Sequence, residues 1–98
     1  RAGHEVLEAD NAEDGLQLVR DQVPQLVLMD VVLPGMSGFQ ATRAMARDAA
    51  TRHIPVIIVS TKAMETDKAW GLRQGAADYI VKPPREDELI ARINELVA

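Results

Sequence analysis

The fold of this chain is constrained most by a strict alternation of short strand-like runs and amphipathic helical patterns, which repeats four times in 98 residues. The strand-like runs lie at residues 4–9, 26–29, 56–59 and 79–81. Each is followed by apolar residues at helical spacing and only a short loop. Such alternation is typical of a parallel sheet covered by helices and linked by right-handed crossovers. The sequence therefore predicts one α/β layer structure.

The predicted helix ends support this alternation. Asn11 is a suitable N-cap for the first helix, and Ser37 with Gln40 forms a capping box for the second. The third predicted helix, near residues 64–74, ends at Gly75, which is expected to adopt a left-handed conformation. Three acidic residues open the last helix, where the helix dipole favours negative charge.

Polar residues follow three of the predicted strands. The all-apolar run 26–29, interpreted as a strand buried on both faces, leads directly into Asp30. Ser60 or Thr61 ends the next strand, and Lys82 follows the last one. Because parallel strands end at the same sheet edge, we expect a carboxylate, a hydroxyl and an ammonium to meet there. This set suits a carboxylate that accepts a phosphoryl group whose oxygens the other two groups bind.

Each of these residues also has an ordinary structural interpretation. A single Asp after a strand is more often a turn former than a nucleophile, Ser60 and Thr61 suit a turn, and Lys82 suits solvent before a proline. Trp70 fits a partner surface and core packing equally well. The joint placement of the polar groups at successive strand ends favours the functional interpretation.

Composition excludes several classes of function. With 11 basic and 15 acidic residues, a net charge of −4 and no Lys/Arg cluster along the sequence, we predict no nucleic-acid binding. No apolar stretch approaches the roughly 20 residues of a membrane span, and the first residues do not resemble a signal peptide, so we expect a cytoplasmic protein without a membrane partner. The absence of cysteine excludes disulfides and thiolate chemistry.

Three segments carry a resemblance to a known family. They are residues 28–38, 55–60 and 75–83, with the sequences LMDVVLPGMSG, PVIIVS and GAADYIVKP. The chain resembles the response-regulator receiver domain of two-component systems, collinearly from its first residue to its last. The stretch at residues 61–75 further resembles single-domain regulators of the twitching-motility, type IV pilus system. The implied fold is flavodoxin-like (CheY-like), a parallel sheet with helices on both faces.

The resemblance also implies residue roles. Asp30 matches the phosphoacceptor of the family, which a sensor histidine kinase phosphorylates. Ser60 matches the switch hydroxyl, Tyr79 the switch aromatic and Lys82 the phosphate-binding lysine. A downstream protein partner is expected at the surface made by the third helix, last strand and last helix. The implied function is a phosphorelay switch and not an enzyme.

The chain departs from the family pattern at its start. Residues 1–98 match a single receiver domain that starts at the family's second strand, so the first strand and first helix are lacking. The acidic pair of that strand is absent, and the pattern leaves Asp30 and the backbone carbonyl of Val32 as magnesium ligands. Magnesium binding is therefore expected to be weak or absent. Because the missing strand is central in the family, self-association or domain swapping is an expected way to cover the exposed edges.

Two alternative functions remain open at this stage. One is a receiver-like interaction module that cannot be phosphorylated, because the acidic pair is absent. The other is a phosphatase of the haloacid-dehalogenase type, which also uses Asp, Ser/Thr and Lys at strand ends. Val32 replaces the second aspartate of that class, and the chain leaves no room for its cap.

Overall fold

The computed structural model describes residues 9, 11–31, 36–61, 63–82 and 85–97. The predicted strand at residues 4–9 lies outside the described residues except for Ala9. The described elements are α1 (Ala12–Gln22), β1 (Val27–Met29), α2 (Gly38–Arg47), β2 (Val56–Ser60), α3 (Glu65–Arg73), β3 (Asp78–Val81) and α4 (Glu86–Val97).

The described strands form one parallel sheet in the order β1-β2-β3. The register aligns Met29 with Ile58, and Ile58 with Tyr79. All three strands therefore end at the same edge, as a parallel sheet requires. The predicted alternation of strands and helices around a parallel sheet is confirmed.

Burial differs sharply between the two strands with all-apolar runs. Every residue of β2 is buried, whereas in β1 Val27 and Met29 are half-buried and Leu28 is 47% exposed. The prediction that the run 26–29 is buried on both faces is wrong. An apolar run makes burial favourable, but the burial itself depends on elements that cover each face, and no described helix covers Leu28.

The helix ends agree with the predicted caps. The Asn11 side chain accepts a hydrogen bond from the backbone of Asp14 at 2.8 Å. Ser37 and Gln40 exchange both bonds of a capping box, at 2.9 and 3.2 Å. Gly75, after α3, has φ of 114°, a conformation that favours glycine.

The four helices are not equally buried. The helices α1 and α2 each have at least three buried residues, and the core that they help to form also includes residues of β2 together with Ala76 and Tyr79. No residue of α4 is buried, and its apolar stripe is half-buried. Within the described ranges, no helix combines the length and the apolarity needed to cross a bilayer.

Candidate functional site

Two oppositely charged side chains meet at the carboxyl edge of the sheet. Asp30 directly follows β1 and Lys82 directly follows β3, and the Lys82 Nζ lies 2.6 Å from an Asp30 carboxylate oxygen. Both side chains are a little under 40% exposed. A pair this exposed contributes only about 0–1 kcal/mol to folding, so its significance lies in where it places the carboxylate and the ammonium.

Ser60 stands between these residues as the last residue of β2. Its side chain is buried, at 1% exposure, and its backbone carbonyl accepts a hydrogen bond from the Lys82 amide at 2.8 Å. The next residue, Thr61, is exposed. Of the two hydroxyls left open by the spacing, Ser60 is therefore the one held in the sheet beside Lys82.

Gly38 packs against the backbone of Asp30 and so helps to position the site, a role that the sequence analysis did not predict. As the first residue of α2, it donates its N–H to the carbonyl of Val31 at 2.8 Å. A Cβ at this position would overlap the backbone carbonyl of Asp30 and would lie 2.8 Å from the Val31 Cα. Only glycine lets α2 start this close to Asp30. The sequence feature that could have predicted this role is a glycine directly after the N-cap Ser37, close behind the strand that leads into Asp30.

Tyr79 lies inside β3 and not at the sheet edge. Its side chain is buried, at 8% exposure, beneath α3. A Cβ added to Gly71 of α3 would lie 2.9 Å from the Tyr79 ring and 3.0 Å from the Ile58 side chain. Gly71, another residue that sequence reasoning missed, therefore lets α3 rest directly on the Tyr79 ring.

An open groove of about 630 Å³ runs along α3, β3 and α4, beside Tyr79. The Arg92 guanidinium of α4 donates to Asp78 of β3 at 2.8 Å and ties these two elements together. The hydrogen bond to Asp78, followed by one to Glu95, raises the pKa of Arg92 above its usual value. The Arg92 guanidinium therefore stays charged at any physiological pH.

The metal ligands implied by the sequence are only partly described. Asp30 lies at the sheet edge, whereas Val32 falls outside the described residues. Within the part of the chain that the structure describes, no three His, Cys, Asp or Glu side chains are grouped as a metal site would need. The Asp30 carboxylate instead faces the Lys82 ammonium.

A parallel sheet with a carboxylate, a buried hydroxyl and a lysine at its carboxyl edge is the arrangement expected of a phosphoacceptor signalling domain. The response regulator receiver domain matches this chain over residues 1–94, and the chain belongs to that family. It is 56% identical over 96 residues to Protein PilH of Pseudomonas aeruginosa, covering 98% of this chain and 79% of PilH. The resemblance to pilus-system regulators is confirmed by this similarity.

Other relatives are longer. The phosphate regulon transcriptional regulatory protein PhoB of Pseudomonas aeruginosa is 42% identical over 96 residues, and the chain spans 42% of its length. Receiver domains of this family act with histidine kinases and downstream effectors and are generally signalling modules without enzymatic activity.

Solved structures show the same fold. A response regulator from Chloroflexus aurantiacus superposes with a TM-score of 0.93 at 29% identity, over 98% of this chain and 79% of its own. The receiver domain of a sensor histidine kinase from Pseudomonas aeruginosa has a TM-score of 0.88 at 26% identity, over 98% and 79% of the two chains. That structure holds a magnesium ion coordinated in its active site cleft. The fold is flavodoxin-like (CheY-like), as predicted.

Proposed function

We propose that this chain is a phosphoacceptor receiver in which Asp30 takes a phosphoryl group from the phosphohistidine of a sensor histidine kinase. An Asp30 oxygen attacks phosphorus, the P–N bond breaks with its electron pair staying on the histidine nitrogen, and an acyl phosphate forms. The observation that carries the proposal is the 2.6 Å contact of Asp30 with Lys82 at the shared end of β1, β2 and β3. The half-exposed carboxylate is accessible to a donor at that edge.

Lys82 and Ser60 bind the new phosphoryl oxygens. Phosphorylation places one Asp30 oxygen in the mixed-anhydride linkage to phosphorus and removes the charge of the carboxylate, so the Lys82 ammonium shifts its pairing to the phosphoryl group. The Ser60 hydroxyl donates a hydrogen bond to a second phosphoryl oxygen. The 2.8 Å bond from the Lys82 amide to the Ser60 carbonyl keeps the two residues side by side.

In the proposed switch, Tyr79 transmits the effect of phosphorylation from Ser60 to the surface that binds the partner. Ser60 lies two residues after Ile58, the register partner of Tyr79, and so on the same face of the sheet as Ile58. A movement of Ser60 changes the space on that face, and α3 contacts the Tyr79 ring at Gly71. A change at Tyr79 therefore alters the groove between α3, β3 and α4, which Tyr79 itself lines. We assign the downstream protein partner to this surface, whose affinity differs between the two phosphorylation states.

The residues described here do not fit a magnesium ion on their own, because Asp30 faces an ammonium and lacks two further carboxylates grouped with it. The proposal therefore includes weak or absent magnesium binding by this chain, and no step above depends on the ion. It treats residues 1–98 as one receiver domain, supported by the match over residues 1–94. It also places the protein in the cytoplasm, without nucleic-acid or membrane partners.

Self-association is a further part of the proposal. In the described part of the sheet, β1 pairs with β2 alone, and Leu28 is exposed. Pairing with a second copy, by an edge contact or by domain swapping, would cover this strand. Light scattering that shows a folded, strictly monomeric protein at all concentrations would contradict this part.

The test of phosphorylation is the intact mass of the protein after incubation with acetyl phosphate, with and without magnesium. We expect the gain of one phosphoryl group in the wild type and none in Asp30→Asn. Asp48→Asn makes the same chemical change at a carboxylate far along the chain and should still be labelled. Circular dichroism establishes that all three proteins are folded. Persistent labelling of Asp30→Asn would contradict the assignment.

A second function is favoured if the folded wild type gains no mass. The chain would then be a receiver-like interaction module, consistent with the lack of a three-ligand metal group among the described residues. In that case Asp30→Asn should leave partner binding unchanged, whereas substitutions in the groove between α3, β3 and α4 should weaken it.

A further inference from the structure

A second groove lies between the C-terminal ends of α2 and α3. It is open, has a volume of about 360 Å³, and shares no lining residue with the groove beside Tyr79. Its lining residues are Arg43, Ala46, Arg47, Trp70, Arg73, Gln74 and Gly75. At its base Gly75 meets Ala46 so closely that a Cβ on the glycine would lie 2.8 Å from the alanine Cβ. This contact lets the arginines of both helices face one groove.

The charge of this groove is not compensated. All of its titratable lining residues are arginines, in a protein whose net charge is −4. Within the described residues, none of Arg43, Arg47 and Arg73 has an ion pair or a side-chain hydrogen bond. The carboxylate that follows Arg47 in sequence, Asp48, is bound by Arg20 at 3.1 Å and by the Ala50 amide at 2.9 Å.

Stabilisation of the helix dipole explains the positions of only two of the three arginines. Arg47 and Arg73 lie in the last turns of α2 and α3, where positive charge stabilises the helix dipole. Arg43 is one turn further inside α2, where that effect has faded, and it sits four residues from Arg47 with a like charge. Trp70 leaves 46% of its large side chain in solvent. Helix stabilisation therefore explains neither the charge at Arg43 nor the exposed part of the Trp70 side chain.

We propose that this groove docks an acidic peptide segment of a partner protein, with carboxylates on the three arginines and an apolar side chain on Trp70. Arginine binds carboxylates with paired hydrogen bonds, and tryptophan and arginine are the residue types that dominate binding energy at protein interfaces. The open shape favours a peptide, because a small molecule needs a cavity that buries most of its surface. Docking at this groove needs no phosphoryl group on Asp30, because its lining residues are already in place in the unphosphorylated protein.

The protein carries its own reporter, because Trp70 is its only tryptophan. The probe is an acetylated, amidated peptide of alternating glutamate and leucine. It is about eight residues long, and each residue of an extended segment spans roughly 3.3 Å. Its titration into the protein should shift Trp70 emission to shorter wavelength, and added salt should weaken the response. The same peptide with lysine in place of glutamate should give no response.

Charge reversal identifies the groove as the site. Arg43→Glu should weaken binding of the acidic peptide by about tenfold, the usual scale for an interfacial charge pair. Arg52→Glu makes the same change at an exposed arginine outside the groove and should leave binding close to that of the wild type. The proposal is overturned by an absent emission shift, by an equal loss in Arg52→Glu, or by an equal response to inorganic phosphate or a single-stranded oligonucleotide.

Discussion

The two charged regions of this molecule balance their charge in opposite ways. At the sheet edge, the Asp30 carboxylate and the Lys82 ammonium neutralise each other at 2.6 Å. In the groove between α2 and α3, three arginines face solvent without a counter-ion among the described residues. At the sheet edge, Lys82 must release the Asp30 carboxylate before it can bind a phosphoryl group. In the groove, the arginines can bind an anion without first releasing another partner. The first arrangement suits a switch and the second suits a docking surface.

Both regions nevertheless depend on a glycine that allows two parts of the backbone to approach. Gly38 brings the start of α2 against the backbone of Asp30, and Gly75 brings the end of α3 against Ala46 of α2. The two contacts differ in what an added methyl group would meet. At Gly38 it meets three backbone atoms and overlaps one of them, whereas at Gly75 it meets one carbon, the Ala46 Cβ, which cannot rotate away either. We expect substitutions to be more severe at the sheet edge.

The largest expected effect is that of Gly38→Ala. The new Cβ overlaps the Asp30 carbonyl, so the start of α2 must move, at a cost of about 3 kcal/mol in the free energy of unfolding. For a domain of this size that corresponds to a fall of about 15 °C in the melting temperature. Thermal unfolding followed by circular dichroism measures it, and phosphorylation by acetyl phosphate should be lost with the geometry of Asp30.

Gly15→Ala is the matched control. Gly15 lies inside α1, and among the described residues an added Cβ would meet the Ala9 Cβ alone, at an ordinary 3.7 Å. Alanine should stabilise this helix by about 0.5–1 kcal/mol, because it loses less backbone entropy than glycine. A Gly38→Ala protein as stable as the wild type would show that Gly38 is not needed for the approach of α2 to Asp30.

Gly75→Ala should have an intermediate effect. A non-glycine residue with φ near 114° is strained, which costs about 1–2 kcal/mol, and the contact with Ala46 adds to it. The two contributions can be separated in an Ala46→Gly background, where the contact is removed and only the backbone strain remains. We expect a smaller loss of stability in that background by chemical denaturation. Equal losses in both backgrounds would assign the whole effect to the backbone.

The sequence predicts the sheet edge better than it predicts burial. Asp30, Ser60 and Lys82 could be placed together because each follows a strand, and parallel strands end at one edge. The runs ending at Met29 and Val59 are equally apolar, yet Leu28 is exposed and β2 is buried throughout. The sequence of a strand shows what it can bury, whereas its place among the other elements decides what it does bury.

The groove could not be predicted from the sequence. Along the chain its arginines are separated and form no cluster, so the composition indicated no basic surface. They come together because α2 and α3 pack with their C-terminal ends adjacent, which depends on the contact of Gly75 with Ala46. Gly75 itself was predicted as a helix cap, and its left-handed conformation is confirmed. Its second role, in bringing two helices together, has no local sequence signal.

The smallest expected effect concerns the Asp48 carboxylate. It tests whether Asp48 is held by Ala50 and Arg20 or is available to neutralise the arginines of the groove. The hydrogen bond from the Ala50 amide, followed by that from Arg20, lowers the pKa of Asp48 below its usual 3.8. A carboxylate with a lowered pKa in the folded state contributes stability above its unfolded value and loses it as the pH falls through the folded value. The stability of the wild type should therefore decline slightly more than that of Asp48→Asn below about pH 3.8. Melting temperatures of both proteins across the acid range measure this difference.

Binding of the acidic peptide at neutral pH completes the same test. If Asp48 is held by Ala50 and Arg20, it does not neutralise Arg47, and Asp48→Asn should bind the peptide as the wild type does. Clearly tighter binding by Asp48→Asn would mean that Asp48 competes for the groove arginines. The groove would then share its charge with a neighbouring carboxylate, as Lys82 does with Asp30, and the contrast between the two regions would fail.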